Sequence, residues 1–165
     1  MREEKRSITR SKRDTKPHIT APSPMLFKSE DGQTYWDILG GNAPQGMQME
    51  SAKAPGESTR YKIHYAFVGG KNHHSVDVQV EGAEAGHHDI RWIYVKSYTG
   101  GQIRFIQPEE EARALLAMAE DDAYMFCQND PCIECAFACK VGFEIYAYSE
   151  SEGLLKDVAK IIYSR

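Results

Sequence analysis

The feature that most constrains this chain is a series of short stretches in which apolar and polar residues alternate. In "RYKIHYAFV" the residues Tyr61, Ile63, Tyr65 and Phe67 alternate with Lys62, His64, Ala66 and Val68. "SVDVQVEG" repeats the pattern with Val76, Val78 and Val80 on one side. Alternation with period two places one face of a strand on a core and leaves the other to solvent. "HDIRWIYVKSY" differs, because His88, Ile90, Trp92 and Tyr94 fall on one side while Ile93 and Val95 fall on the other. Both of its faces are therefore expected to be covered. Gly100 and Gly101 supply a turn, and "QIRFIQ" returns until Pro108 stops it. Short strands separated by turn signals point to an all-β sandwich.

Two stretches read differently. "PEEEARALLAMAEDD" is rich in Ala, Leu, Met and Glu, which favours helix, with Asp121 and Asp122 ending it. "GLLKDVAKIIY" has Leu154, Leu155, Val158, Ile161 and Ile162 spaced for an amphipathic helix after the strand "VGFEIYAYSE". Residues 39–58 are rich in Gly, Pro and Ser and read as a loop or linker. Up to Lys16 the chain carries seven Lys/Arg against three Asp/Glu with hardly any apolar residue, the composition of a flexible basic leader. The expected division is a leader over 1–22, a small segment and linker over 23–58, a sandwich over 59–127, and a cysteine-rich extension over 128–165 that ends in a helix.

A net charge of -4 gives no global pull towards nucleic acid. No stretch approaches the roughly 18 consecutive apolar residues of a membrane span, and the first residues lack the apolar core of a secretory signal. The expectation is a cytoplasmic protein. All four cysteines, Cys127, Cys132, Cys135 and Cys139, fall within thirteen residues. In a reducing compartment clustered thiols indicate metal or redox chemistry more than a disulfide framework.

Four pieces occur in a fixed order: "KIHYAFV", "HDIRWIYV", "RFIQPEEEARALL" and "AYMFC". Together, across about residues 61–127, they resemble the desulfoferrodoxin and superoxide reductase family, whose iron domain is an immunoglobulin-like sandwich. "HDIRWI" is the most specific of them. The resemblance implies an oxidoreductase that takes an electron from a donor protein and reduces superoxide to peroxide. Its cofactor would be a mononuclear non-haem iron held by four histidines and an axial cysteine thiolate; neutral imidazoles suit ferrous iron, and a trans thiolate pushes electron density towards the bound oxygen species. Carried over residue by residue, His64 and His88 match two of the histidines and Cys127 the thiolate. A further histidine place falls near Gly82, for which His87, or His73 and His74, are the available substitutes. The last histidine is replaced by Asp130, so the resemblance implies an iron site with an altered ligand set of His64, His88, Cys127 and Asp130. His87 and His88 are neighbours, and neighbours on a strand face opposite ways, so both reach one metal only where the chain is irregular. "NAPQGMQM" resembles the family's turn after a rubredoxin-like module with its cysteines gone, so residues 23–58 read as a degenerate form of that module. With no cysteine before residue 127, no iron tetrathiolate forms there. The family likeness leaves a homo-oligomer open.

The cysteines themselves read as C-x4-C-x2-C-x3-C. On a helix Cys132, Cys135 and Cys139 would share one face. Zinc or an iron–sulfur cluster, thiol redox chemistry, and packing as small apolar residues are all compatible with that spacing. A non-enzymatic relative, with the sandwich kept as a binding or structural module and metal held by the cysteines, is the alternative to an active reductase.

Overall fold

The computed structural model describes residues 19–69, 73–119, 125 and 140–160. Its strands are β1 (Met25–Ser29), β2 (Thr34–Asp37), β3 (Met47–Glu50), β4 (Lys62–Val68), β5 (Ser75–Glu81), β6 (Ile90–Lys96), β7 (Gly101–Phe105), β8 (Arg113–Ala117), β9 (Glu144–Ser149) and β10 (Gly153–Val158). They form three antiparallel sheets with orders β2-β1-β3, β10-β9-β6-β7 and β4-β5-β8. The last two sheets face each other with the strand order of an immunoglobulin-like sandwich, as the alternation predicts. Among the described residues no helix is long and apolar enough to cross a membrane.

The inward residues of β4 and β5 are those that the alternation selects. Ile63, Phe67, Val76, Val78 and Val80 are buried and share one core with Ile93, Val95, Ile145 and Ala147 of the facing sheet. Lys62, His64 and Gln79 point outward and are exposed. Each fully buried Val or Ile stabilises this arrangement by about 1.5–3 kcal/mol relative to an exposed one.

β6 is covered on both faces. Ile93 and Val95 enter the sandwich core, while Trp92 and Tyr94 enter a second cluster with Leu26, Tyr146, Tyr148 and Leu154 beneath the β2-β1-β3 sheet. Trp36 of β2 lies over this aromatic face, 5.7 Å from Tyr94 and 5.8 Å from Tyr146 between ring centroids. One register differs from simple alternation. The pairing of β6 with β9 shifts between Ile90 and Trp92, so Ile90 joins the sandwich core and not the side of Trp92. A bulge inserts one residue and turns the side chains beyond it to the other face.

Both helix expectations are overturned where the structure describes the chain. Arg113–Ala117 is a strand on β5, with Ala114 and Leu116 buried and Arg113, Leu115 and Ala117 exposed. Its residues favour helix locally, yet its period-two burial matches the edge of the β4-β5 sheet, and tertiary pairing prevails over propensity. The predicted C-terminal helix is replaced over Gly153–Val158 by β10, which pairs with β9. Leu154 packs in the aromatic cluster and Leu155 in the sandwich core. A strand buried on both faces carries consecutive apolar residues, which imitates helical spacing. Residues 39–58 likewise contain β3, and Lys53 makes a parallel bridge to Leu155 that ties this stretch to β10.

Candidate metal centre

Of the described residues singled out by the sequence, His64, Gly82, His87 and His88 lie on or beside the rim where β5 leaves one sheet and the chain crosses to β6 in the other. β5 ends at Glu81, and Gly82 follows with φ +84. A Cβ at position 82 would stand 2.3 Å from the carbonyl oxygen of Arg60, so the place that the family likeness reserves for a histidine holds a residue that can carry no side chain. The chain then turns through Glu84–His87, with the His87 N–H donating to the Glu84 carbonyl at 3.0 Å and the Gly86 N–H to the Pro108 carbonyl at 2.7 Å.

His64 sits on the outer face of β4, opposite Gln79, with its side chain half exposed. Its Nε2 lies 2.5 Å from Oε2 of Glu81. Hydrogen bonding to His64, together with the imidazole's charge, holds the Glu81 carboxyl below its ordinary range. In its neutral form, with Nε2–H donated to the carboxylate, the ring has its lone pair on Nδ1, the orientation common in metal-ligating histidines. The ring borders an open cleft of about 220 Å³ that Glu84 and Glu111 also line, and neither His87 nor His88 is among the lining residues.

His88 is differently placed. Its Nδ1 accepts the Ile90 N–H at 3.1 Å, and its Nε2 donates to the Glu110 carbonyl at 2.7 Å. His87 is exposed and its Nδ1 donates to the Ala85 carbonyl at 3.0 Å. His73 and His74 precede β5 at the end opposite Gly82, a strand length of about 20 Å away. Among the described residues no group of three His, Cys, Asp or Glu side chains converges as a metal site. Cys127, Asp130, Cys132, Cys135 and Cys139 lie outside the described residues.

Asp89 is the rim residue that reading by motif passes over. The Tyr61 hydroxyl donates to its Oδ1 at 2.7 Å, the Ser149 hydroxyl to the same oxygen at 2.8 Å, and the Ser151 N–H to Oδ2 at 2.8 Å. Burial pushes the Asp89 carboxyl up, but hydrogen bonds from Ser151, Tyr61 and Ser149 outweigh it and hold the group well below the usual carboxylate range. Burial and the bond to Asp89 push the Tyr61 hydroxyl up in turn. The signal was present as an acidic residue at the entrance of a strand otherwise covered on both faces.

These features define a class: an all-β, immunoglobulin-like sandwich with a small antiparallel sheet laid over its four-stranded side. No protein-family model matches the chain, and no curated protein does. Among solved structures the chain is similar to the superoxide reductase from Treponema pallidum, with a TM-score of 0.51 and 15% identity over 81% of this chain and 97% of that one. At that identity the likeness is one of fold. Only part of the ligand set expected from the sequence resemblance falls on described residues. Of the places carried over to them, His64 offers a lone pair, His88 has both ring nitrogens engaged by backbone, and Gly82 offers nothing.

Proposed function

We propose that this chain is a metal–thiolate protein built on a superoxide-reductase-like sandwich. The thiolates of Cys127, Cys132, Cys135 and Cys139 would hold zinc or an iron–sulfur cluster in a reducing, cytoplasmic setting, and the rim would carry no four-imidazole iron. The observation that favours this over an intact reductase is the engagement of both His88 nitrogens by backbone groups, beside a glycine where another ligand would stand. The cysteine spacing supplies four soft ligands within thirteen residues, enough for a tetrahedral site.

A second reading keeps the oxidoreductase: superoxide reduced at a mononuclear iron with an altered ligand set of His64, Cys127 and Asp130, fed by an electron donor protein. The carboxylate-backed imidazole of His64 favours it. Anaerobic purification followed by metal and acid-labile sulfide analysis separates the two. On the thiolate reading, Cys132→Ser and Cys135→Ser release metal as fully as Cys127→Ser, His64→Ala releases none, and superoxide is not reduced. A thiolate-to-ferric absorption band lost in His64→Ala and Cys127→Ser but kept in Cys135→Ser would establish the reductase reading instead.

A further inference from the structure

We infer that His88 is a hydrogen-bonded clasp of the sandwich rim, formed by protein groups alone, and that no metal bound by this chain is ligated through it. A peptide N–H can only donate and a carbonyl can only accept. The contacts of His88 with the Ile90 N–H and the Glu110 carbonyl therefore fix one neutral tautomer, with the proton on Nε2 and the lone pair on Nδ1. A neutral imidazole has one such lone pair, and here it is already committed. Ligation would require the ring to abandon Ile90, whose residue is 1% exposed, or to shed the Nε2 proton that meets Glu110. The first leaves a buried donor orphaned, and the second leaves a carbonyl facing a lone pair.

The position of the ring explains what it does instead. Glu110 belongs to the β7–β8 connection, where the Glu110 N–H donates to Gln107 and the Pro108 carbonyl accepts from Gly86. His88 belongs to the β5–β6 connection, so its imidazole adds a third link to those that Gly86 makes with Pro108 and Ala112 with Ala83. On the other side Arg60 donates to the His87 carbonyl at 2.9 Å and Tyr61 reaches Asp89, which brings in the stretch that leads into β4. With Ser151 of the β9–β10 turn also donating to Asp89, four connections are laced at this rim through residues 87–89. A metal would be a redundant staple there, and Gly82, which cannot accept a Cβ, removes a neighbouring ligand position as well.

The clasp stands independently of the cysteine reading and is tested at His88 itself. In long-range ¹H–¹⁵N spectra of the full metal-free chain, the His88 ring is expected as the Nε2–H tautomer, and stoichiometric zinc(II) is expected to leave its nitrogen shifts in place. His88→Ala is expected to bind as much zinc and iron per chain as the native protein and to melt about 4 °C lower, the shift expected when the bonds to Ile90 and Glu110 are lost from a chain of this size. His88→Gln, which keeps a donor near Nε2, is expected to recover part of that difference. A metal-induced shift of either His88 nitrogen, an Nδ1–H tautomer in the metal-free chain, or metal lost in His88→Ala would overturn the inference. Should His88→Ala fail to fold, the spectra of the native chain decide alone. Failure of the thiolate reading would show separately, as metal retained in the cysteine variants.

Discussion

The Trp36 ring lies against Trp92 with centroids 4.6 Å apart and planes tilted by 43°, joining the small N-terminal sheet to the central strand of the sandwich. Trp92 also stacks on Tyr148 at 5.5 Å, so Trp36 completes an aromatic layer and does not merely touch it. Trp36→Ala is expected to destabilise the protein by about 3 kcal/mol, and Trp36→Phe by about half of that. Urea unfolding followed by Trp92 fluorescence checks both. A loss below about 1 kcal/mol for Trp36→Ala would mean that the small sheet is held mainly elsewhere.

Restoring a histidine at position 82 is expected to damage the fold and gain no metal. Gly82→His must hold a side chain at φ +84 with its Cβ against the Arg60 carbonyl. A residue forced into such a backbone region costs about 1–3 kcal/mol before the contact itself is counted. Gly82→Ala isolates that cost. Chemical denaturation of both variants, alongside zinc and iron content, is the measurement. A Gly82→His chain as stable as the native one would refute the steric argument.

Acid sensitivity should centre on Asp89. Its folded carboxyl titrates below the unfolded value near 3.9 because three donors favour the charged form. The sign follows from that direction: the contribution to stability is present above about pH 4 and is lost as pH falls from there through the folded value. Asp89→Asn is expected to melt lower than the native chain at pH 7, with the gap narrowing below about pH 4. Melting curves taken between pH 7 and pH 3 show whether the two lines converge. Parallel lines would remove Asp89 from the acid response.

Neighbouring leucines on β8 provide a test of strand against helix. Leu116 is 7% exposed in the sandwich core and Leu115 is 58% exposed on the outer face. Leu116→Ala is expected to cost about 2–5 kcal/mol and Leu115→Ala less than about 0.5 kcal/mol. Comparable losses from the two would contradict the strand register.

What could be read in advance follows from how each strand is covered. β4 and β5 have one wet face, so their alternation announced both the strand and its orientation. For β6, the two-sided apolar pattern predicted two covered faces, and the aromatic cluster confirms them. The same two-sided burial misled at β10, where Leu154 and Leu155 serve different cores and the resulting spacing resembles a helix. At the candidate site, the motif drew attention to His64 and His88 but could not tell them apart. His64 faces solvent with one nitrogen on Glu81, whereas His88 is fixed by an N–H two residues on and a carbonyl from another connection. A partner so distant in sequence leaves no local pattern. Gly82 was visible as a missing histidine, and the reason for it, the Arg60 carbonyl, emerges only from the packing.

The two-sided burial of β6 and β9 sets the size of the folding unit. A chain cut near Ser58 would retain all the strands of the sandwich, but Trp92, Tyr94, Tyr146 and Tyr148 would lose the cover of Leu26 and Trp36. Such a fragment would present a sticky aromatic wall to other molecules, and self-association would compete with its folding. What looks from the strand order like an autonomous seven-stranded domain is therefore expected to depend on the short N-terminal sheet, which acts as its lining.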